Sequence, residues 1–327
     1  MIHRLTRRLL AAAAAATTIA AAAASVALGA STAQAASASL FASVTASGTL
    51  AHGSGVTSVT HISTGQYEVT FSANVRRCAY VATTINAHSQ ALGVFTAGGH
   101  RSADGVYVET KNQGGGLTDG PFNLAVDCGA PGWSFAVVGY TARLARATPG
   151  TTLRVLGTGR YDITFPGNIS RCAYLATVGD PGNGLVFNPN GVYTGSGPGA
   201  RTVYIETKNI GGGLSAGIPF HLAVICPSAA NVKIAVVGAS GLPARGSALT
   251  SSFRASTGQY TLATSQPLPA CAVIATRGSV NTSVPFDPAT VEITAGPAPN
   301  TTGIQVRQLL FFGGNLVSES FHAAMIC

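Results

Sequence analysis

Carboxylates, histidines and tyrosines recur at matching positions along this 327-residue chain, and their types decide which chemistry it could carry. Glu68 is matched by Asp162, and Glu109 by Glu206. Two carboxylates facing one cleft are the machinery of glycoside hydrolysis. Here each lies in a stretch that alternates apolar and polar residues as half-buried strands do, and Lys111 and Lys208 stand two residues after Glu109 and Glu206, on the same strand face. Solvated ion pairs along a strand account for both without catalysis. His221 and His322 also match, each just after a phenylalanine, with Asn123 in the corresponding place. A catalytic histidine needs a nucleophile and an orienting acid within reach. Neither accompanies this pair, which reads as outward-facing strand residues. The triplets Gly114 to Gly116 and Gly211 to Gly213 lack the Lys-Ser/Thr and the helix of a phosphate loop and read as hairpin or bulge turns. No Gly-x-Ser-x-Gly elbow joins a strand to a helix. What remains is recognition. Tyr80 and Tyr174, and likewise Tyr107 and Tyr204, occupy matching strand positions, from which a phenol ring can stack on a sugar or half-bury in a core.

The elements that would position these residues come in three copies. Gly65-Gln-Tyr-Glu-Val-Thr-Phe followed by Cys78-Ala-Tyr-Val-Ala-Thr returns as Gly159-Arg-Tyr-Asp-Ile-Thr-Phe with Cys172-Ala-Tyr-Leu-Ala-Thr, and again, more worn, between Gly258 and Thr276. The offsets are 94 and 99 residues for glycines and cysteines alike. An internal repeat of this kind outranks any local motif in deciding the fold. Short period-two segments separated by glycine and proline clusters, with no sustained helical period, predict an all-β chain of three tandem antiparallel β-sandwich repeats, immunoglobulin-like or jelly-roll-like, over residues 36–128, 129–226 and 227–327. The linkers, Gly129 to Gly132 and Pro227 to Asn231, are short enough to give a stiff string or a packed cluster.

Each copy carries two cysteines. A unit that recurs whole should carry its own bridge, which selects Cys78–Cys128, Cys172–Cys226 and Cys271–Cys327 among the fifteen possible sets. Zinc is not expected, because there is no Cys-x-x-Cys and the histidines lack ligand spacing. No other cofactor is expected either. The spans between paired cysteines are 50, 54 and 56 residues, so the copies differ in surface loops, where repeat proteins place recognition. In the third copy the run Leu309 to Phe312 replaces Lys-Asn-x-Gly and is expected to be buried or to meet a partner.

Segments of the form AVV, G.Y.V.F, CAY.AT and FHLAV.C resemble an uncharacterised secreted β-repeat domain of actinobacteria, found in some proteins after collagen-like or tail-fibre-like stalks. The resemblance covers all three copies, most fully the first two. It implies secretion and a β-fold, and no activity. A Gly-X-Y stalk is absent from this chain.

Arg4, Arg7 and Arg8, the alanine-rich run from Leu9 to Ala30 and the Ala33-Gln34-Ala35 site predict a secretory signal peptide over residues 1–35. Without its three arginines the chain keeps 16 Lys+Arg against 11 Asp+Glu, a net +5 with no basic cluster long enough for nucleic acid. No membrane anchor or wall-sorting tail is expected. The expectation is therefore a secreted, extracellular, non-enzymatic protein, a multivalent adhesive, structural or glycan-binding module for a cell wall or polysaccharide surface. A protein-binding inhibitor or toxin component acting through the variable loops, and a hydrolase with an unrecognised site, are the alternatives. The sequence leaves the oligomeric state open.

Overall fold

Among the described residues the period-two segments are strands, and no helix forms. A computed structural model describes residues 39–85, 92–184, 190–229, 231–246, 249–264, 270–281, 291–297, 303–310 and 315–327; the leader expected over 1–35 lies outside them, as does much of the loop sequence that differs between copies. Repeat 1 holds β1 (Leu40–Val44), β2 (Leu50–Ser54), β3 (Val56–Ser63), β4 (Gln66–Phe71), β5 (Ala79–Thr84), β6 (Gly93–Gly98), β7 (Gly105–Lys111) and β8 (Phe122–Asp127). Repeat 2 holds β9 (Trp133–Val138), β10 (Leu144–Ala147), β11 (Thr152–Gly157), β12 (Arg160–Thr164), β13 (Ala173–Val178), β14 (Gly191–Ser196), β15 (Thr202–Lys208) and β16 (Phe220–Ile225). Repeat 3 holds β17 (Val232–Val237), β18 (Pro243–Gly246), β19 (Leu249–Ser256), β20 (Gln259–Thr264), β21 (Ala272–Arg277), β22 (Val291–Pro297), β23 (Gly303–Leu310) and β24 (Phe321–Ile326).

The same two antiparallel strand orders recur in every copy. β2-β1-β8-β5, β10-β9-β16-β13 and β18-β17-β24-β21 form one kind of sheet, called inner below. β3-β4-β7-β6, β11-β12-β15-β14 and β19-β20-β23-β22 form the other, outer kind, and a single parallel bridge from Thr84 of β5 to Thr294 of β22 joins the inner sheet of repeat 1 to the outer sheet of repeat 3 as one eight-stranded sheet. Pairing the first strand with the eighth departs from the seven-stranded ABED and CFG sheets of immunoglobulin constant domains. Within each copy the two sheets share a core: in repeat 1, Val44 and Leu124 of the inner sheet meet Tyr67, Val69 and Val106 of the outer one. Each disulfide ties the start of the fifth strand to the end of the eighth, with Cα–Cα distances of 4.3, 4.1 and 4.2 Å. All three pairings are the expected ones.

The fifth and eighth strands of the inner sheets are buried on both faces, which one copy alone could not achieve, while the second strands stay partly or largely exposed. β5, β13 and β21, and β8, β16 and β24, are buried at every position. Their second faces meet one another in a central cluster that includes Val81, Ala125, Leu175, Ala223, Ile274 and Ala324. The alanines at 125, 223 and 324 occupy the same place in the three closing strands, and their small side chains let three sheets approach. Residues 36–327 thus form one compact unit, a packed cluster rather than a string.

The outer sheets turn their third strand to solvent. β3, β11 and β19 are mostly exposed and carry bulges where their register against the fourth strand shifts, a device that twists an open edge away from further pairing. Leu309 is buried, and the side chain of Leu310 together with Phe311 and Phe312 lies outside what is described.

Candidate functional site at the seams between repeats

The fifth strand ends the inner ladder in repeats 2 and 3, and in repeat 1 it meets a further strand only at the Thr84–Thr294 bridge, so most of its alternate N–H and C=O groups point away from the ladder and need partners. The neighbouring repeat supplies them from side chains. Ala82 N donates to Thr177 Oγ1 at 2.8 Å, and that hydroxyl donates back to Ala82 O at 3.1 Å. Thr276 does the same for Ala176, and Thr83 for Ala275, at the same distances within 0.1 Å. Repeat 2 therefore serves repeat 1, repeat 3 serves repeat 2, and repeat 1 serves repeat 3. The three seams close a ring with pseudo-threefold equivalence.

The recurring histidines belong to these seams. His221 Nδ1 accepts from Tyr80 N at 3.0 Å and His322 Nδ1 from Tyr174 N at 2.9 Å, while the third seam uses Asn123 Nδ2, which donates to Val273 O at 3.0 Å. All three residues are buried, so the expectation that they face outward is corrected: the outward side of the closing strand is covered by another repeat. With Nδ1 accepting, the proton sits on Nε2, which donates to Asp180 O and to Ser279 O at 3.1 Å. Burial, followed by the nearby charge of Arg146 or Arg245, pushes both imidazoles down to about 3. They stay neutral and act as fixed hydrogen-bonding wedges, not as acid–base groups.

A second set of side chains crosses each seam nearer the surface. Arg146 donates from Nε to Cys78 O at 2.7 Å and from Nη1 to Pro181 O, and its guanidinium lies 5.4 Å from the Tyr80 ring. Arg245 donates to Cys172 O at 3.0 Å and to Val280 O at 3.4 Å and lies over Tyr174 at 5.1 Å. His52, which the sequence aligns with these arginines, meets Cys271 O at 3.0 Å in the third seam. At the first seam the β6–β7 turn and the loop after β13 enclose a cavity of about 320 Å³, lined by Arg76, Tyr80, Ser102, Arg146 and Asn183 among others.

The four sequence-selected tyrosines separate into two environments. Tyr80 and Tyr174 are almost wholly buried, stack on His221 and His322 with centroids 4.8 and 4.9 Å apart, and donate to Val75 O and Ile169 O. Tyr107 is buried on the outer face of its sheet beneath His100, 3.9 Å away, and donates to Glu109 Oε1. Tyr204 makes the same bond to Glu206 at 2.9 Å but is only half-buried, beside a shallow cavity of about 310 Å³ shared with Arg154, Leu156, Asp162 and Pro198. Burial, with the adjoining glutamate second, raises both phenols.

The paired carboxylates also differ from expectation. Glu109 meets Lys111 at 2.9 Å and Glu206 meets Lys208 at 3.4 Å, as the same-face spacing requires, yet all four residues are buried rather than solvated. Phe95 and Tyr193 of the sixth strands lie under the two ammonium groups at 5.1 Å and shield them. Among the described residues no cluster of three or more histidine, cysteine or acidic side chains could hold a metal ion. No protein family, curated protein or solved structure matches this chain.

Proposed function

We propose that the mature chain is an extracellular, non-enzymatic binding module made of three tandem β-sandwich repeats, which presents three copies of one outward surface in fixed mutual orientation. The observation that carries this reading is the closed set of seams: the same threonine, the same ring-or-amide position and the same latch position join each repeat to the next. Fixed spacing is what multivalent attachment needs, because the second and third contacts then cost little further ordering. Each repeat exposes its third strand, with Ile62, Val155, Leu156 and Phe253 among the solvent-facing apolar residues. Stacking on a sugar rests with Tyr204, whose ring is the most accessible of the four selected. Secretion is supported by the leader pattern and by three disulfides, which suit an oxidising compartment. No helix among the described residues is long and apolar enough to cross a membrane.

Co-sedimentation of the oxidised chain from Ala36 to Cys327 with insoluble polysaccharides and cell walls tests the proposal. Retention that climbs steeply with ligand density supports multivalent attachment. Retention independent of density, or a soluble complex with one protein partner, overturns it in favour of the inhibitor reading.

A further inference from the structure

One row of residues crosses the outer sheet of each repeat from its third strand to its sixth. It reads Thr60, Glu68, Tyr107 and Ala97 in repeat 1, Arg154, Asp162, Tyr204 and Gly195 in repeat 2, and Phe253, Thr261, Gln305 and Gly296 in repeat 3. Residues directly opposite one another in neighbouring strands share a face. In repeat 1 the chain itself covers the tyrosine: His100 lies on the Tyr107 ring at 3.9 Å with the planes 16° apart, and the Arg101 amide donates to Glu68 Oε1 at 3.0 Å. Repeat 2 keeps the tyrosine and its bond to the glutamate. Pro198, however, is the second residue after the sixth strand there, as His100 is in repeat 1, and five residues rather than six join the sixth strand to the seventh. The Tyr204 ring stays half-exposed.

The groups around Tyr204 are open to solvent. The cavity of about 310 Å³ over this part of the sheet is bordered by Leu156, Pro198 and Arg154. Leu156 is 42% exposed, and the Arg154 side chain is 67% exposed. Arg154 Nη2 donates to Asp162 Oδ2, which holds the guanidinium at the rim and balances its charge. Its Nε and Nη1 have no hydrogen-bond partner among the described residues and face water.

We infer that this cavity binds one neutral pyranose ring of gluco configuration, whose C–H face stacks on Tyr204 with Leu156 and Pro198 at its margins, while Arg154 Nε and Nη1 donate to hydroxyls at the ring edge. An aromatic floor with a polar rim suits a ligand that is apolar on one face and polar around its edge. The ligand is neutral because Asp162 already balances Arg154. An all-equatorial ring presents only axial hydrogens to the phenol, whereas an axial hydroxyl pressed on that face would lose its water without gaining a partner. His100 marks the same geometry from within, a flat ring laid on the equivalent tyrosine. The cavity lies at the lower end of ligand-pocket volumes, which admits one ring. This inference rests on the glycan-binding reading above and deepens it. Repeat 2 supplies the sugar-selective contact, since His100 covers the place in repeat 1 and Gln305 holds it in repeat 3.

The test is NMR titration of the oxidised chain from Ala36 to Cys327 with methyl β-glucopyranoside, with methyl α-mannopyranoside, which carries an axial oxygen on each face, and with glucuronate. The glucoside is expected to bind with a Kd on the order of 1 mM, as suits a single small ring, and to shift the resonances of Tyr204 and its neighbours. The mannoside is expected to bind about fivefold more weakly or less, and glucuronate no more tightly than the glucoside. Arg154→Ala and Tyr204→Leu, each checked by thermal unfolding, should each weaken glucoside binding about fivefold or more. Arg154→Ala alters an exposed side chain and decides the matter alone if Tyr204→Leu does not fold. No glucoside binding, mannoside binding as tight as the glucoside's, tighter glucuronate binding, or a folded variant that binds as well as the parent would each overturn the assignment. Glucoside binding without retention on any insoluble glycan supports the subsite and removes surface attachment, and retention without glucoside binding does the reverse.

Discussion

His322 accepts the Tyr174 amide proton across a seam at 2.9 Å and stacks on the Tyr174 ring, so one residue closes an open sheet edge and packs the core beneath it. His221 and Tyr80 make the same pair one repeat earlier. Four consequences of this architecture can be measured.

Stability should fall in mild acid. Unfolded histidine takes up a proton near pH 6.5, while His221 and His322 in the fold resist protonation down to about 3. Between those limits the unfolded chain binds more protons, so stability is full above about pH 6.5 and is lost as pH falls, at about 1.4 kcal/mol per pH unit for each imidazole. Urea unfolding between about pH 7.5 and about pH 4 should show the sum of these two histidine contributions less the opposing one from Asp127, and His322→Asn should lower the slope by one imidazole's share, about 1.4 kcal/mol per pH unit. An unchanged slope in that variant would place the acid sensitivity elsewhere.

Asp127 should act in the opposite sense. It is fully buried at the end of β8, where the other closing strands have Ile225 and Ile326, and among the described residues only the Gly129 amide bonds its carboxyl. Burial raises its carboxyl to about 7, so between about pH 4 and 7 the folded chain holds a proton that the unfolded chain has lost, and stability drops as pH rises. Asp127→Asn keeps the shape and an acceptor for Gly129. It should melt higher than the parent above pH 7 and equally below about pH 4.

Repeat 2 expressed alone should assemble as a homotrimer. It contains both halves of every seam: Thr177 and Ala176, His221 and Tyr174, Arg146 and Cys172. Its inner sheet would otherwise expose the apolar face that the other repeats cover. Analytical ultracentrifugation of residues 129–230 should give three times the chain mass, and Thr177→Val, which removes the shared hydroxyl, should lower the trimer's stability by about 1–3 kcal/mol per seam. A stable monomer would contradict the complementarity argued above.

Tyr107→Ala should cost about 3 kcal/mol or more, because it removes a buried ring and leaves Glu109 Oε1 short of a donor. Tyr204→Ala removes a half-buried ring and should cost less. Chemical denaturation of the two variants checks the order, and equal losses would mean that the two outer faces are more alike than their exposures indicate.

Much of the fold was legible in the chain. Alternation at Tyr67, Val69 and Phe71 marks a core-facing strand, and the doubled cysteines in each copy select their own bridges. The ring was not legible, because a strand such as Ala79–Thr84 reads as half-wet when its second face is covered by residues about one or two hundred positions away. One signal did point to it. Asn123, His221 and His322 are polar residues at one register position of otherwise apolar strands, and Thr83, Thr177 and Thr276 recur likewise. Polar residues in register across copies suit a shared interface better than solvent, where their type would be free to drift. The buried Glu109–Lys111 pair was read correctly as a pair and wrongly as solvated, since nothing local tells that Phe95 lies across it.

The third seam has a consequence for how the molecule is made. Its bonds from Asn123 to Val273 and from Thr83 to Ala275 join residues 150 and 192 positions apart, and chain searches over such distances are slow. A chain that emerges from its amino end first has repeat 1 ready while repeat 3 is still to arrive, so the apolar side of the first inner sheet waits uncovered. The interval before closure is when aggregation competes with folding, and a chaperone or a fast-folding final repeat would act there, at the end of synthesis rather than the beginning.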